Sequence, residues 1–187
     1  MVSAPFAPFV PVVPERPEVI EEFKALKKEY KIGIFGSYEQ TNLTKLSLLQ
    51  NFLNREGYEN TRIALDLMER YPRKKGEHKS TYIHRLSNNL IRISDIHIFV
   101  FFNEADGQHE INTSTFGEMQ KGKACKKKNI ILYFDKRVRK QIASYYKTYF
   151  DDPPEGWQIE GYSDDIETKY EHVAGFLLEM CNKIRSK

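Results

Sequence analysis

Two near-continuous apolar runs, Ile96 to Phe102 (IHIFVFF) and Ile130 to Phe134 (IILYF), constrain this chain more than any other feature. Both are rich in β-branched and aromatic residues at successive positions, so each reads as a strand buried on both faces, which suits a parallel sheet covered by helices on either side. Parallel neighbours need a crossover, and the stretch between them supplies one: a polar loop, a helix opening near Thr115, and an exit through Asn129. Ligands of open α/β sheets bind outside the carboxyl ends of the strands, so function is expected where the first run ends and the helix begins. Glu118 stands at that point.

The rest of the chain alternates in the same way. Lys31 to Phe35 (KIGIF) reads as the first strand, followed by the loop GSYEQTN and a helix from about Leu43 to Arg55 that Gly57 stops. Asn60 to Leu67 reads as the second strand, residues 70–79 as a charged surface loop, and Ser80 to Ile93 as the helix feeding the central strand. Beyond Phe134 the pattern predicts a helix over Val138 to Phe150, a turn at DDPPEG, a fifth strand over Trp157 to Tyr162 and a closing helix over Ile166 to Ile184. This alternation predicts an α/β, doubly wound, parallel five-stranded sheet of order 2-1-3-4-5. Its switch point lies between the first and third strands, so the loops GSYEQTN and NEADGQHEINTST face one crevice.

Residues 17–187 therefore form a single α/β domain, a leading helix over 17–30 and a doubly wound core over 31–187, preceded by a Pro-rich arm over 1–16. Pro5, Pro8, Pro11, Pro14 and Pro17 recur every third residue, the period of a polyproline II helix, so the arm is expected to be extended. Its Phe6 and Phe9 fall on one ridge and need a surface to cover them. A partner chain would supply it in a homodimer or larger oligomer; the alternative is the arm's own first helix. The prolines interrupt any signal-like apolar segment and the longest apolar run is too short to span a bilayer, so no membrane partner and a cytoplasmic setting are expected. The two cysteines, Cys125 and Cys181, are read as reduced. A formal charge of +3 from 29 basic and 26 acidic residues is too near balance to imply a nucleic-acid partner.

The crevice loops carry no GxGxxG, no GxxxxGK[ST] and no GxSxG, and the chain has no HExxH or Cys/His cluster, so no cofactor and no metal are indicated. Ser37, His109 and Asp106 could be written as a triad, but nothing in their spacing favours it. What remains is a set of carboxylates: Asp66 after the second strand, Glu104, Asp106 and Glu110 in the central loop, and Glu118 at the helix start. Carboxylates at a switch point without metal ligands suit chemistry at a sugar's anomeric carbon, where an anion attacks or stabilises an oxocarbenium-like centre. Tyr38, Gln40, Asn42 and Gln108 would hydrogen-bond a base or ribose. Two features have plainer readings. Thr115-Phe-Gly-Glu118 fits a capping box, and the lysines from Lys121 to Lys128 complement a helix C-terminus.

A first strand ending in Gly-Ser-Tyr, a central strand opening with Ser94-Asp95 and ending in an acidic loop, and the run TSTFGEMQKGKACKKKNIILYF together resemble the nucleoside 2-deoxyribosyltransferase family. That family belongs to the flavodoxin-like group that also includes TIR-type NAD-cleaving domains. Over roughly residues 31–135 the resemblance implies a flavodoxin-like fold, Glu118 as nucleophile and Asp106 as the acid that contacts the base. It further implies Gly36, Ser37, Tyr38, Asp66 and Thr115 around a nucleoside or nucleotide. The expected activity is N-glycosidic-bond hydrolysis or deoxyribosyl transfer. The sequence departs from the family in the inserted QHEIN, in the MQKG that follows Glu118 and in the terminal KKK. A TIR-like NAD hydrolase, or a non-catalytic nucleotide-sensing or protein-interaction module of the same fold, therefore remains an alternative.

Overall fold

A computed structural model describes residues 17–102, 113–125, 129–135, 157–162 and 170–186. The Pro-rich arm, the loop containing Glu104, Asp106, Gln108, His109 and Glu110, and the helix expected over Val138 to Phe150 lie outside the described residues.

The chain begins with α1 (Pro17–Glu29), then β1 (Ile32–Phe35), α2 (Gln40–Arg55), β2 (Thr61–Ile63), α3 (Lys79–Ile93) and β3 (Ile96–Phe101). It continues through α4 (Thr113–Ala124), β4 (Ile130–Asp135), β5 (Trp157–Tyr162) and α5 (Tyr170–Arg185). The sheet is parallel and runs β2-β1-β3-β4, the order expected from the sequence, with β5 paired parallel along β4 from Trp157 to Tyr162. β3 lies between β1 and β4, with Ile98 opposite both Ile34 and Ile131.

The two-faced apolarity of β3 has a direct structural cause. Ile96, Ile98, Val100 and Phe102 enter one core with Leu26 of α1, Leu46, Leu49 and Leu53 of α2, and Val173, Leu177 and Met180 of α5. Phe99 and Phe101 enter the opposite core with Leu86, Leu90 and Ile91 of α3 and Met119 of α4. Successive strand side chains point to opposite faces, so a strand between two helical layers must be apolar at every position. The interruption, His97, is accommodated by stacking on Phe99 and by an Nε2–H that donates to the Ile91 carbonyl at 3.0 Å.

Local chemistry moves several element ends away from the sequence reading. β2 stops at Ile63 rather than continuing to Leu67, because the chain tightens into a 3-10 turn over Ala64–Leu67. Asp66 holds that turn, its Oδ2 accepting from the Ile63 amide at 2.8 Å and from Gln50 Nε2 at 2.6 Å. α2 starts at Gln40, ahead of its apolar stripe, and the Leu43 amide closes the first turn onto the Glu39 carbonyl at 2.7 Å. α4 starts at Thr113, two residues ahead of Thr115 and in line with the helix expected near there. Gly57 terminates α2 with φ +97°, a conformation that favours glycine. The charged loop over 70–79 is tied down at its base, where Arg85 of α3 grips Glu77 through two contacts of 2.8 Å and also donates to the Pro72 carbonyl at 3.0 Å.

Candidate functional site

At the carboxyl end of β1 the backbone threads a narrow gap. A Cβ on Gly36 would stand 2.8 Å from Leu46 Cδ2 and 3.2 Å from the Val100 carbonyl oxygen, so a larger residue here would force Leu46 and the β3 backbone to shift. Ser37 follows, buried, its Oγ accepting from the Glu39 amide at 3.4 Å, and Asn42 is buried in the first turn of α2. Tyr38 then packs its half-buried ring against both cores and its hydroxyl accepts from the Ala64 amide at 3.3 Å. Burial, and after it the negative charge of Glu118, push the phenol well above its ordinary pKa, so Tyr38 keeps its proton throughout the physiological range.

The facing element is α4. Thr115, Glu118, Met119 and Gly122 recur at helical spacing and are all buried, so they form the face that packs inward. Gly122 faces the sheet on this stripe: a Cβ there would lie in ordinary van der Waals contact, 3.5 Å from the Phe99 ring. Glu118 thus occupies a position that helix periodicity assigns to the core, and only 4% of its surface is exposed. Desolvation raises its carboxyl from the ordinary 4.5 to about 7, against a smaller lowering by the Ser87 hydroxyl. Its Oε2 is buried without a hydrogen-bond partner. This placement excludes the capping-box reading, since Thr115 is inside the helix and Glu118 is its sixth residue.

Ser87 completes the group. It is fully buried on α3, which packs against α4, and its hydroxyl stands near enough to influence both the Tyr38 phenol and the Glu118 carboxyl. It is nevertheless in hydrogen-bonding geometry with neither. Tyr38, Ser87 and Glu118 therefore form one polar cluster among Phe35, Leu86, Phe99 and Met119. Sequence reasoning missed Ser87; the available signal was a hydroxyl residue beside Leu86 on the apolar stripe of α3.

The structure brings Gly36, Ser37 and Tyr38 to the rim of β1 and places Thr115 on the inward face of α4 with Glu118. Asp66 stands apart: its carboxylate is exposed and engaged in its own turn, reaching the cluster only through its charge on Tyr38. Asp106 lies outside the described residues. Among the described residues no three His, Cys, Asp or Glu side chains are grouped so as to hold a metal ion. Nor is any described helix long and apolar enough to cross a membrane. Chemically, the cluster offers a water-poor carboxyl that gains and loses its proton near neutrality, flanked by two hydroxyl groups that stay neutral.

No family model matches the sequence, and no curated protein is detectably similar to it. Among solved structures, the metal-soaked flavodiiron core of Flv1 from Synechocystis sp. PCC6803 aligns with a TM-score of 0.48 and 10% sequence identity. The alignment covers 89% of this chain but 39% of that one, so the chain spans well under half of the protein it is compared with. Strand order, parallel pairing and helices on both faces make this an α/β protein of the flavodoxin-like, Rossmann-like type.

Proposed function

We propose that the protein cleaves the N-glycosidic bond of a nucleoside or nucleotide, with Glu118 as nucleophile. The observation that carries the reading is a glutamate buried at the carboxyl edge of a doubly wound sheet, with one oxygen left without a hydrogen bond. Structural needs do not account for such a group, because an unpaired buried carboxyl is destabilising. The resemblance to the nucleoside 2-deoxyribosyltransferase family supports the same assignment.

In this reading the Glu118 carboxylate attacks the anomeric carbon as the bond from that carbon to the base nitrogen breaks. The base leaves with the electron pair and takes up a proton. Water, or a second base, then attacks the same carbon and releases Glu118, its displaced proton going to solvent. Burial helps the chemical step: a carboxylate stripped of water is poorly stabilised alone and gains most when positive charge develops on the sugar ring beside it. Tyr38, fixed by the Ala64 amide and neutral, acts as a hydrogen-bond donor rather than a base. Asp106 is the residue expected to hold the base.

Incubation with deoxynucleosides, ribonucleosides, nucleotides and NAD, followed by chromatography for free base, tests the proposal. Release of a base that Glu118→Ala abolishes supports it, and no release from any compound, with or without an acceptor base, removes it. The engagement of Asp66 in its own turn favours a second reading, a non-catalytic nucleotide-binding module, because it takes one expected substrate contact out of use. A nucleotide that raises the melting temperature without being consumed would select that reading.

A further inference from the structure

Residues 70–79 carry five exposed cations, Arg70, Arg73, Lys74, Lys75 and Lys79, and one carboxylate, Glu77. Glu77 does not neutralise them, because its charge is met from beneath the loop. Its side chain is 9% exposed, and its carboxylate accepts from Arg85 Nε and Nη2 at 2.8 Å each and from the Lys74 amide at 3.0 Å. The backbone is braced from the same residue: the Glu77 amide donates to the Lys74 carbonyl at 3.1 Å, and the Glu77 carbonyl accepts from Arg73 Nε at 2.7 Å. Gly76, at φ +77°, completes this turn, and nothing stands within 4 Å of where its side chain would begin. The result is a fixed tip in open space with its cations outward. We propose that this loop is a docking surface for the phosphate backbone of a nucleic acid, bound without regard to base sequence.

The near-balanced charge of the whole chain does not bear on this surface, since backbone contacts depend on the cations within reach of the phosphates. Bracing matters because a loop already held in place loses little freedom on binding. Arg70 is held too: its guanidinium lies 5.6 Å from the centroid of the Tyr71 ring, a contact that positions the charge without cancelling it. Guanidinium groups match phosphate oxygens with paired donors, and lysines add point charges beside them. Tyr71 itself packs against the core, so the loop offers charge to a backbone rather than an open ring to a base. Of the large apolar side chains on the connection from β2 to α3, Met68 alone is exposed, which gives a bilayer little to hold. The inference does not depend on the role of Glu118.

Fluorescence anisotropy of short labelled DNA duplexes of differing sequence, titrated with the full chain over a range of salt, tests it. The expected result is binding that is alike for all sequences and weakens with salt, the slope of log affinity against log salt being about −4, or roughly 0.9 per cation engaged. Replacing Lys74 and Lys75 together with alanine should weaken binding to every duplex and make that slope shallower by about 2. Replacing Lys121 and Lys123 with alanine removes the same charge from the last turn of α4, at the opposite edge of the sheet, and should change nothing. Glu77→Gln separates a built surface from bare charge. It makes the protein more positive yet should weaken binding severalfold, because it frees the loop. Absence of binding at low salt, equal losses from the loop and α4 variants, or tighter binding by Glu77→Gln overturns the proposal. So does a preference for phosphatidylserine vesicles or polyglutamate over DNA. Base release from small nucleosides and nucleotides is measured separately and stands or falls by itself.

Discussion

Replacing Glu118 with glutamine tests the burial argument without assuming any substrate. The carboxyl ionises near 4.5 in the unfolded chain and near 7 in the folded one, because burial penalises its charged form. Between these values the unfolded state has released its proton and the folded state has not, so stability falls as pH rises. The contribution is fully present below the unfolded value and is lost by the time pH has passed through about 7. At 1.36 kcal/mol per pKa unit, a shift of this size amounts to about 3 kcal/mol. Glutamine cannot ionise, so the stability difference between wild type and Glu118→Gln should move by about 3 kcal/mol in the variant's favour from acid to mildly alkaline pH. A buried amide carries its own penalty, but that penalty is the same at every pH, which is why the pH dependence rather than the absolute difference is diagnostic. Urea unfolding followed by circular dichroism, at several pH values on either side of neutrality and with matching m-values, gives the quantity directly. A difference that stays constant with pH would refute the reasoning, whatever the variant does to activity.

Other perturbations have equally defined outcomes. Gly36→Ala forces a Cβ to 2.8 Å from Leu46 Cδ2, which should destabilise the fold by about 1–3 kcal/mol and displace Ser37 and Tyr38; an unchanged melting temperature would disprove the packing argument. Glu77→Gln should release the loop over 70–79, read as faster trypsin cleavage after Arg73, Lys74 or Lys75, with base release unaffected. Arg85 holds the Glu77 carboxyl down to about 2, so in the wild type the clamp is present above the ordinary carboxylate range and is lost only as pH falls through about 2; loosening at mildly acid pH would contradict this. Deleting residues 1–14 should reduce an oligomer to monomers in light scattering, and a monomeric full-length protein defeats the expectation outright.

How much of this was legible in the sequence depended on how local each cause was. The central place of β3 could be read from its own residues, since Ile96 to Phe102 is apolar at positions that serve opposite faces. Glu118 stood out in the sequence for its place at the start of the helix after β3 and for the family resemblance, whereas its position on an inward stripe with Thr115, Met119 and Gly122 comes from the structure. The first residue of α4 was not legible, because Thr113, Ser114 and Thr115 are all cap-forming types and the sequence offers no way to rank them. The length of β2 was misread because Ala64-Leu65-Asp66-Leu67 has the apolar content of a strand, while the turn depends on which way the Asp66 side chain bends. Ser87 acquires its significance only from a side chain on a different helix, a relation that no periodicity within α3 encodes.

The mounting of Glu118 on a helix rather than a loop bears on how such a site could change over time. Its position is set by Met119 and Gly122 against the β3 layer, contacts that belong to the core. Insertions or substitutions outside those contacts can therefore leave the carboxyl in place. A group preorganised in this way also spends no substrate-binding energy on being ordered. If Glu118 is the proposed nucleophile, new substrate preferences would arise by rebuilding the loops around a fixed carboxyl, whereas a change to the α4 face would act on folding and chemistry together.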